Sequence, residues 1–150
     1  MSVCHNATAY EQHLASTNQT VGEDAKGATV IAVDSGAAFN VGDLIAFSSA
    51  DASSNAANFA HIAGDEGNEY EITAINTNDL TVKLKDDPNG KGVQAIIPDN
   101  TFIRRRWRFY DLFDAAPGTS TYATGKGLIG DEIHVVAVSY THLTLPTIPG

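Results

Sequence analysis

Between Tyr70 and Lys85 the chain reads YEITAINTNDLTVKLK, and little except a β-hairpin satisfies that pattern. Leu80, Val82 and Leu84 alternate with Thr81, Lys83 and Lys85, which is the period of a strand with one dry and one wet face. Asn76-Thr77-Asn78 between the two runs predicts a tight connection, since Asn tolerates positive φ. Similar short runs recur on both sides: TVIAV (29–33), DLIAF (43–47), VQAII (93–97), FIRRRWRFY (102–110) and EIHVVAV (132–138). Turn-forming clusters at Asp86-Asp87-Pro88-Asn89-Gly90 and Pro98-Asp99-Asn100 separate them. The expected fold is therefore α+β and mainly antiparallel β, a small barrel-like or curled sheet with a short N-terminal helix and a C-terminal strand that is cut short.

The helix is expected over 8–16, TAYEQHLAS, where Tyr10, His13 and Leu14 fall at helical spacing, Thr8 is a plausible N-cap and Glu11 follows three residues later. Residues 17–27 read as a polar linker. The expected organisation is an N-terminal helix and linker (1–27), an antiparallel β module (28–111), a turn with the start of a further segment (112–138), and a non-native tail (139–150). An Ala/Ser/Asn-rich insertion at 48–67, anchored only by Phe59 and Ile62, reads as a mobile loop with one helical turn near 56–61.

Hydrophobic residues make up 43% of the 150, enough for one packed core and too many for a disordered chain. No apolar run approaches the roughly 20 residues of a membrane helix, and no basic-then-apolar signal segment opens the chain, so a soluble, unsecreted protein is expected. The single cysteine, Cys4, has no internal partner, which suits a reducing compartment. A formal net charge of −9 argues against the chain as a whole wrapping nucleic acid.

One segment opposes that charge. Arg104, Arg105, Arg106 and Arg108 place four of the nine basic residues within five positions. On a strand, Ile103, Arg105, Trp107 and Phe109 point one way, and Phe102, Arg104, Arg106, Arg108 and Tyr110 the other. Trp107 and Phe109 then supply core, while three arginines form a ladder on the opposite face. That ladder can pair by forked bonds with Glu69 and Glu71 or with carboxylates on a neighbouring subunit. Basic residues interleaved with aromatics can instead bind single-stranded nucleic acid, and plain solvated charge is the third possibility.

Other motifs carry less. Gly125-Lys126-Gly127, with Gly118 upstream, has the wrong spacing for a phosphate loop and reads as a turn. His5, His13, His61, His134 and His142 form no metal-ligand pair, and no metal or other cofactor is expected. Asp111 and Asp114 resemble a carboxylate pair and Ser120 a nucleophile, but GTSTY is not a nucleophile elbow. Asp114 before Ala115-Ala116-Pro117-Gly118 is more simply a turn former. No enzymatic activity is expected.

The run from Arg104 to Val138 is similar to the tail sheath protein of contractile-tail bacteriophages of the myovirus type. In that family (K/R)WRF(Y/F)D leads into LFD(A/G)APGTSTYA, a Gly-rich turn and DE(I/M)HVVV. The corresponding stretches here are Arg106 to Asp111, Leu112 to Ala123, Gly125 to Gly127 and Asp131 to Val136. VCHNATAYEQHLASTNQT near the start adds a weaker similarity. The resemblance implies a structural virion protein, from the N-terminal, outward-facing half of a sheath subunit that assembles in six-membered rings around the tail tube inside the host bacterial cytoplasm. The implied partners are other sheath subunits and the tube, with no membrane and no cofactor. Another virion binding or decoration module is the alternative. Compared with the family, the chain lacks the N-terminal arm and the C-terminal domain, and VSYTHLTLPT (138–147) resembles a translated sequencing adapter, so residues 139–150 are expected to add no stability.

Overall fold

A computed structural model describes residues 2–118 and 132–137 of the chain. Its elements are β1 (Ser2–Cys4), α1 (Ala7–Tyr10), β2 (Glu11–His13), β3 (Val30–Ala32), β4 (Leu44–Ser48), β5 (Tyr70–Asn76), β6 (Asp79–Leu84), β7 (Phe102–Arg106) and β8 (His134–Val136), with 3-10 turns at Gly36–Ala38, Ala56–Asn58 and Tyr110–Leu112. The mainly antiparallel β architecture expected from the sequence is what forms. The β5–β6 hairpin pairs Tyr70 with Leu84 and Asn76 with Asp79, with a register shift between Ile72 and Ala74. Thr77, not an asparagine, takes the positive φ of 57° in its turn. Asn78 acts through its side chain instead. Its Oδ1 accepts the Gly36 N–H at 2.9 Å, tying the turn to the 3-10 segment at Gly36–Ala38.

Six strands form one antiparallel sheet in the order β2-β7-β4-β5-β6-β3. Its two ends are bridged by residues 19–22, a stretch the sequence presents as a linker. Thr20 N–H donates to Thr101 O and Thr20 O accepts from Asn100 N–H, while Val21 N–H donates to Ala32 O. Further along, Asp24 and Ile97 exchange backbone hydrogen bonds of 2.8 and 2.9 Å. Every unpaired backbone N–H or C=O on a sheet edge invites another chain, and this strap satisfies several of them internally. The curled sheet wraps one core containing Ile31, Ile45, Phe47, Tyr70, Ile72, Leu80, Val82 and Ile103, all essentially inaccessible to solvent. Burying each such side chain contributes about 1.5–3 kcal/mol.

Three expectations need correction. The helix is a single turn, Ala7–Tyr10, capped by Asn6 through its side chain and not by Thr8. Residues 11–13 instead form β2, because the free edge of β7 offers backbone partners that a second helical turn would forgo: Glu11, Gln12 and His13 pair with Arg106, Arg105 and Arg104. Residues 93–97 do not make a strand. Val93 is pinned by a pair of backbone hydrogen bonds with Gly27 and Ala28, at 2.6 and 2.9 Å. The approach is so close that a Cβ on Gly92 would lie 2.1 Å from Ala28 O. Finally, β7 ends at Arg106, and the chain turns through Tyr110–Leu112 where an extended strand to Tyr110 was expected. The insertion's predicted helical turn is present as Ala56–Asn58.

A second, two-stranded sheet joins the ends of the described chain. β1 pairs antiparallel with β8, setting Ser2 against Val136 and Cys4 against His134. Strand β8 covers the middle of the predicted 132–138 run, of which Val138 lies outside the described residues, as does the whole 139–150 tail.

Candidate functional site

The arginine strand sits between β2 and β4, so each of its outward side chains has neighbours on both sides. Glu69, just ahead of β5, lies where two arginines converge. Its Oε2 is 3.3 Å from Arg104 and 3.5 Å from Arg106, and its Oε1 accepts the Tyr110 hydroxyl at 2.6 Å. Arg106 Nε also donates to Glu11 Oε2 at 2.5 Å, and Arg108 donates to Glu71 Oε1 at 2.9 Å. Three arginines thus meet three carboxylates, all within the chain.

Aromatic rings complete the ladder. The Arg104 guanidinium lies 4.5 Å from the Phe59 centroid and that of Arg106 4.5 Å from the Tyr110 centroid. Lys85 reaches Asp111 at 3.4 Å and also faces Tyr110. Asp114, named beside Asp111 in the sequence, is exposed and is not part of this network. Burial works to raise the Glu11 pKa, yet the Arg106 hydrogen bond and charge, helped by His13 and Arg104, hold it below the usual carboxylate value. Burial and the Arg106 charge together lower the Arg104 pKa.

Arg105 points to the other side and is buried with only 5% of its surface exposed. It donates to the carbonyls of Thr8 and Ala9 and to Gln12, and lies 3.6 Å from Asp43. Burial raises the Asp43 pKa despite that cation. Sequence reasoning missed this inward ion pair. The only signal for it was an arginine on the apolar pleat, which has to find a carboxylate if the fold is to form. Arg105 and Asp43 share a cleft of about 820 Å³ with Trp107, Phe109, Ser2 and Ala9.

Trp107 is the hub of the second sheet's attachment. Its indole N–H donates to Ser2 Oγ at 2.7 Å, while its backbone donates to Tyr10 O. Phe113 stacks on the indole at 5.5 Å, and Phe113 in turn stacks on His134 at 3.9 Å with an 8° tilt. Phe109 meets the indole edge-on at 5.7 Å. Pro117 is buried, and the Gly118 backbone exchanges hydrogen bonds with Glu132 through its N–H and its carbonyl.

Among the described residues no three His, Cys, Asp or Glu side chains gather as metal ligands, and no helix is long and apolar enough to cross a membrane. Ser120, Gly125, Lys126, Gly127 and His142 lie outside those residues. No protein-family model, curated protein or solved structure matches the chain.

Proposed function

We propose that the chain is part of a structural virion subunit, a piece of the N-terminal half of a contractile phage tail sheath protein, that works by assembly and not by catalysis. The reading rests first on the resemblance carried by Arg106 to Ala123, Gly125 to Gly127 and Asp131 to Val136. The observation that carries it furthest is the use to which this stretch puts its side chains. Arg104, Arg106 and Arg108 are engaged by Glu69, Glu11 and Glu71, and Trp107 joins Ser2, Tyr10 and Phe113. Such an arrangement fixes the relative position of chain segments. It leaves no row of free cations beside open aromatic faces, as a single-stranded nucleic-acid groove needs.

Its partners on this reading are further sheath subunits and the tail tube, in the virion tail and, before that, in the host bacterial cytoplasm. The test is to express the longer gene product together with its neighbouring tail-tube gene and examine the product by electron microscopy. Tubular polysheath or co-purifying tube supports the reading. A monodisperse monomer that ignores the tube would overturn it.

A further inference from the structure

The insertion between β4 and β5 is fastened to the arginine strand through one aromatic ring. Phe59 lies against the Arg104 guanidinium and is met edge-on by His13 at 5.7 Å and His61 at 4.8 Å. The histidines reach it from different elements. His13 stands on β2 directly opposite Arg104, and His61 forms an isolated bridge with Ser48 at the base of the insertion. Behind Phe59, Ser49 and Ala60 are tied by the Ser49 N–H to Ala60 carbonyl bond, and the Ser48 hydroxyl accepts the Ala60 N–H.

This junction tolerates a neutral His13 imidazole better than a charged one. The groups facing it are Glu11, Arg104 and Arg106 around His13, Glu69 behind Arg104, and Glu66 near His61. Glu69 is committed to two arginines, and Glu11, although its Oε1 lies 3.4 Å from His13, already holds Arg106. Burial lowers the His13 pKa, and the two arginines add to that against the opposing pull of Glu11. On the insertion side, Nδ1 of His61 is buried without a hydrogen-bond partner.

We propose that residues 49–60 form a proton-released latch, seated on Arg104 through Phe59 while His13 is neutral and freed on acidification, which uncovers the outer face of the arginine strand. The sign follows from linkage. A histidine whose pKa is lowered in the seated state binds fewer protons there, so seating is complete above the ordinary histidine pKa of about 6.5 and weakens as pH falls below it. The latch is independent of the sheath reading, because it concerns how one loop is held within the chain.

Amide hydrogen exchange on the full chain, corrected for the intrinsic pH dependence of exchange, tests it. Between neutral pH and about pH 5, protection of the Phe59 and Ala60 amides should fall, by roughly tenfold for each unit by which His13 is lowered on seating. Protection of Ile72 and Val82 in the β5–β6 hairpin should stay level. In a His13→Gln, His61→Gln double variant the fall should be absent. Protection of Phe59 independent of pH, an equal fall in the double variant, or a parallel fall in the hairpin would each overturn the proposal. Should the double variant not fold, the wild-type Phe59 ring resonances decide. They must titrate together with His13, and an unshifted Phe59 ring across the His13 titration refutes the latch.

Discussion

Arg106 on β7 and Glu11 on β2 stand opposite each other across the sheet, and the Arg106 Nε donates to the Glu11 carboxylate at 2.5 Å. Because Arg106 also reaches Glu69 on the far side, one guanidinium spans from the edge strand to the approach to β5. A three-residue edge strand has little backbone pairing of its own, so charge pairing supplements it.

Glu11→Gln should therefore cost about 1 kcal/mol at neutral pH, the upper end for a partly exposed pair. The Glu11 pKa is lowered on folding, so its contribution is present above the unfolded value and is lost as pH falls through the folded one. Urea denaturation of wild type and variant should show a larger difference at neutral pH than near pH 3. A constant difference at both would mean the effect is not ionic.

Trp107→Ala should destabilise by about 3–5 kcal/mol, because it removes a 6%-exposed indole stacked on Phe113 and hydrogen-bonded to Ser2. Its fluorescence in the folded protein should lie well to the blue of the fully hydrated maximum. A fully hydrated spectrum would contradict the packing described.

Much of this arrangement was legible. Alternation at Leu80, Val82 and Leu84 located β6, and the pleat of the arginine strand separated Arg104 and Arg106 from Ile103. What could not be read were features set by distant partners. Glu11, Gln12 and His13 have no strand pattern of their own and become β2 only because β7 lies alongside. Thr20 and Asp24 look like linker, yet the backbone of this stretch joins the 97–101 segment to β3. Trp107 was recognisable as core, but its stacking on Phe113 and its hydrogen bond to Ser2 depend on a chain reversal after Arg106 that local alternation does not encode.

Asp24 offers a pH-dependent test of that strap. Burial raises its pKa to about 6, and its Oδ2 is buried without a hydrogen-bond partner. A carboxyl raised in the folded state stabilises relative to its ionised form below the unfolded value of about 3.9, and that advantage is lost as pH rises through 6. Asp24→Asn should thus raise the melting midpoint above pH 6 and leave it nearly unchanged near pH 4. The same gain at both would show that ionisation is not the cause.

Gly92→Ala should be among the most damaging single-methyl additions, since the new Cβ would fall 2.1 Å from Ala28 O and 2.4 Å from Gly27 O. Both obstacles are backbone, so relief requires breaking the Val93–Ala28 hydrogen bonding. A cost of about 1–3 kcal/mol or more is expected in equilibrium unfolding, and a neutral outcome would place Gly92 away from that backbone.

The commitment of the arginine strand to carboxylates of its own fold is tested most directly by titrating a single-stranded oligonucleotide with the wild-type chain while varying salt. With Glu69, Glu11 and Glu71 holding Arg104, Arg106 and Arg108, no binding should be measurable at physiological salt. Micromolar binding whose logarithm falls with log salt at a slope of about −2, as about 0.7 per phosphate gives for three arginines, would contradict it.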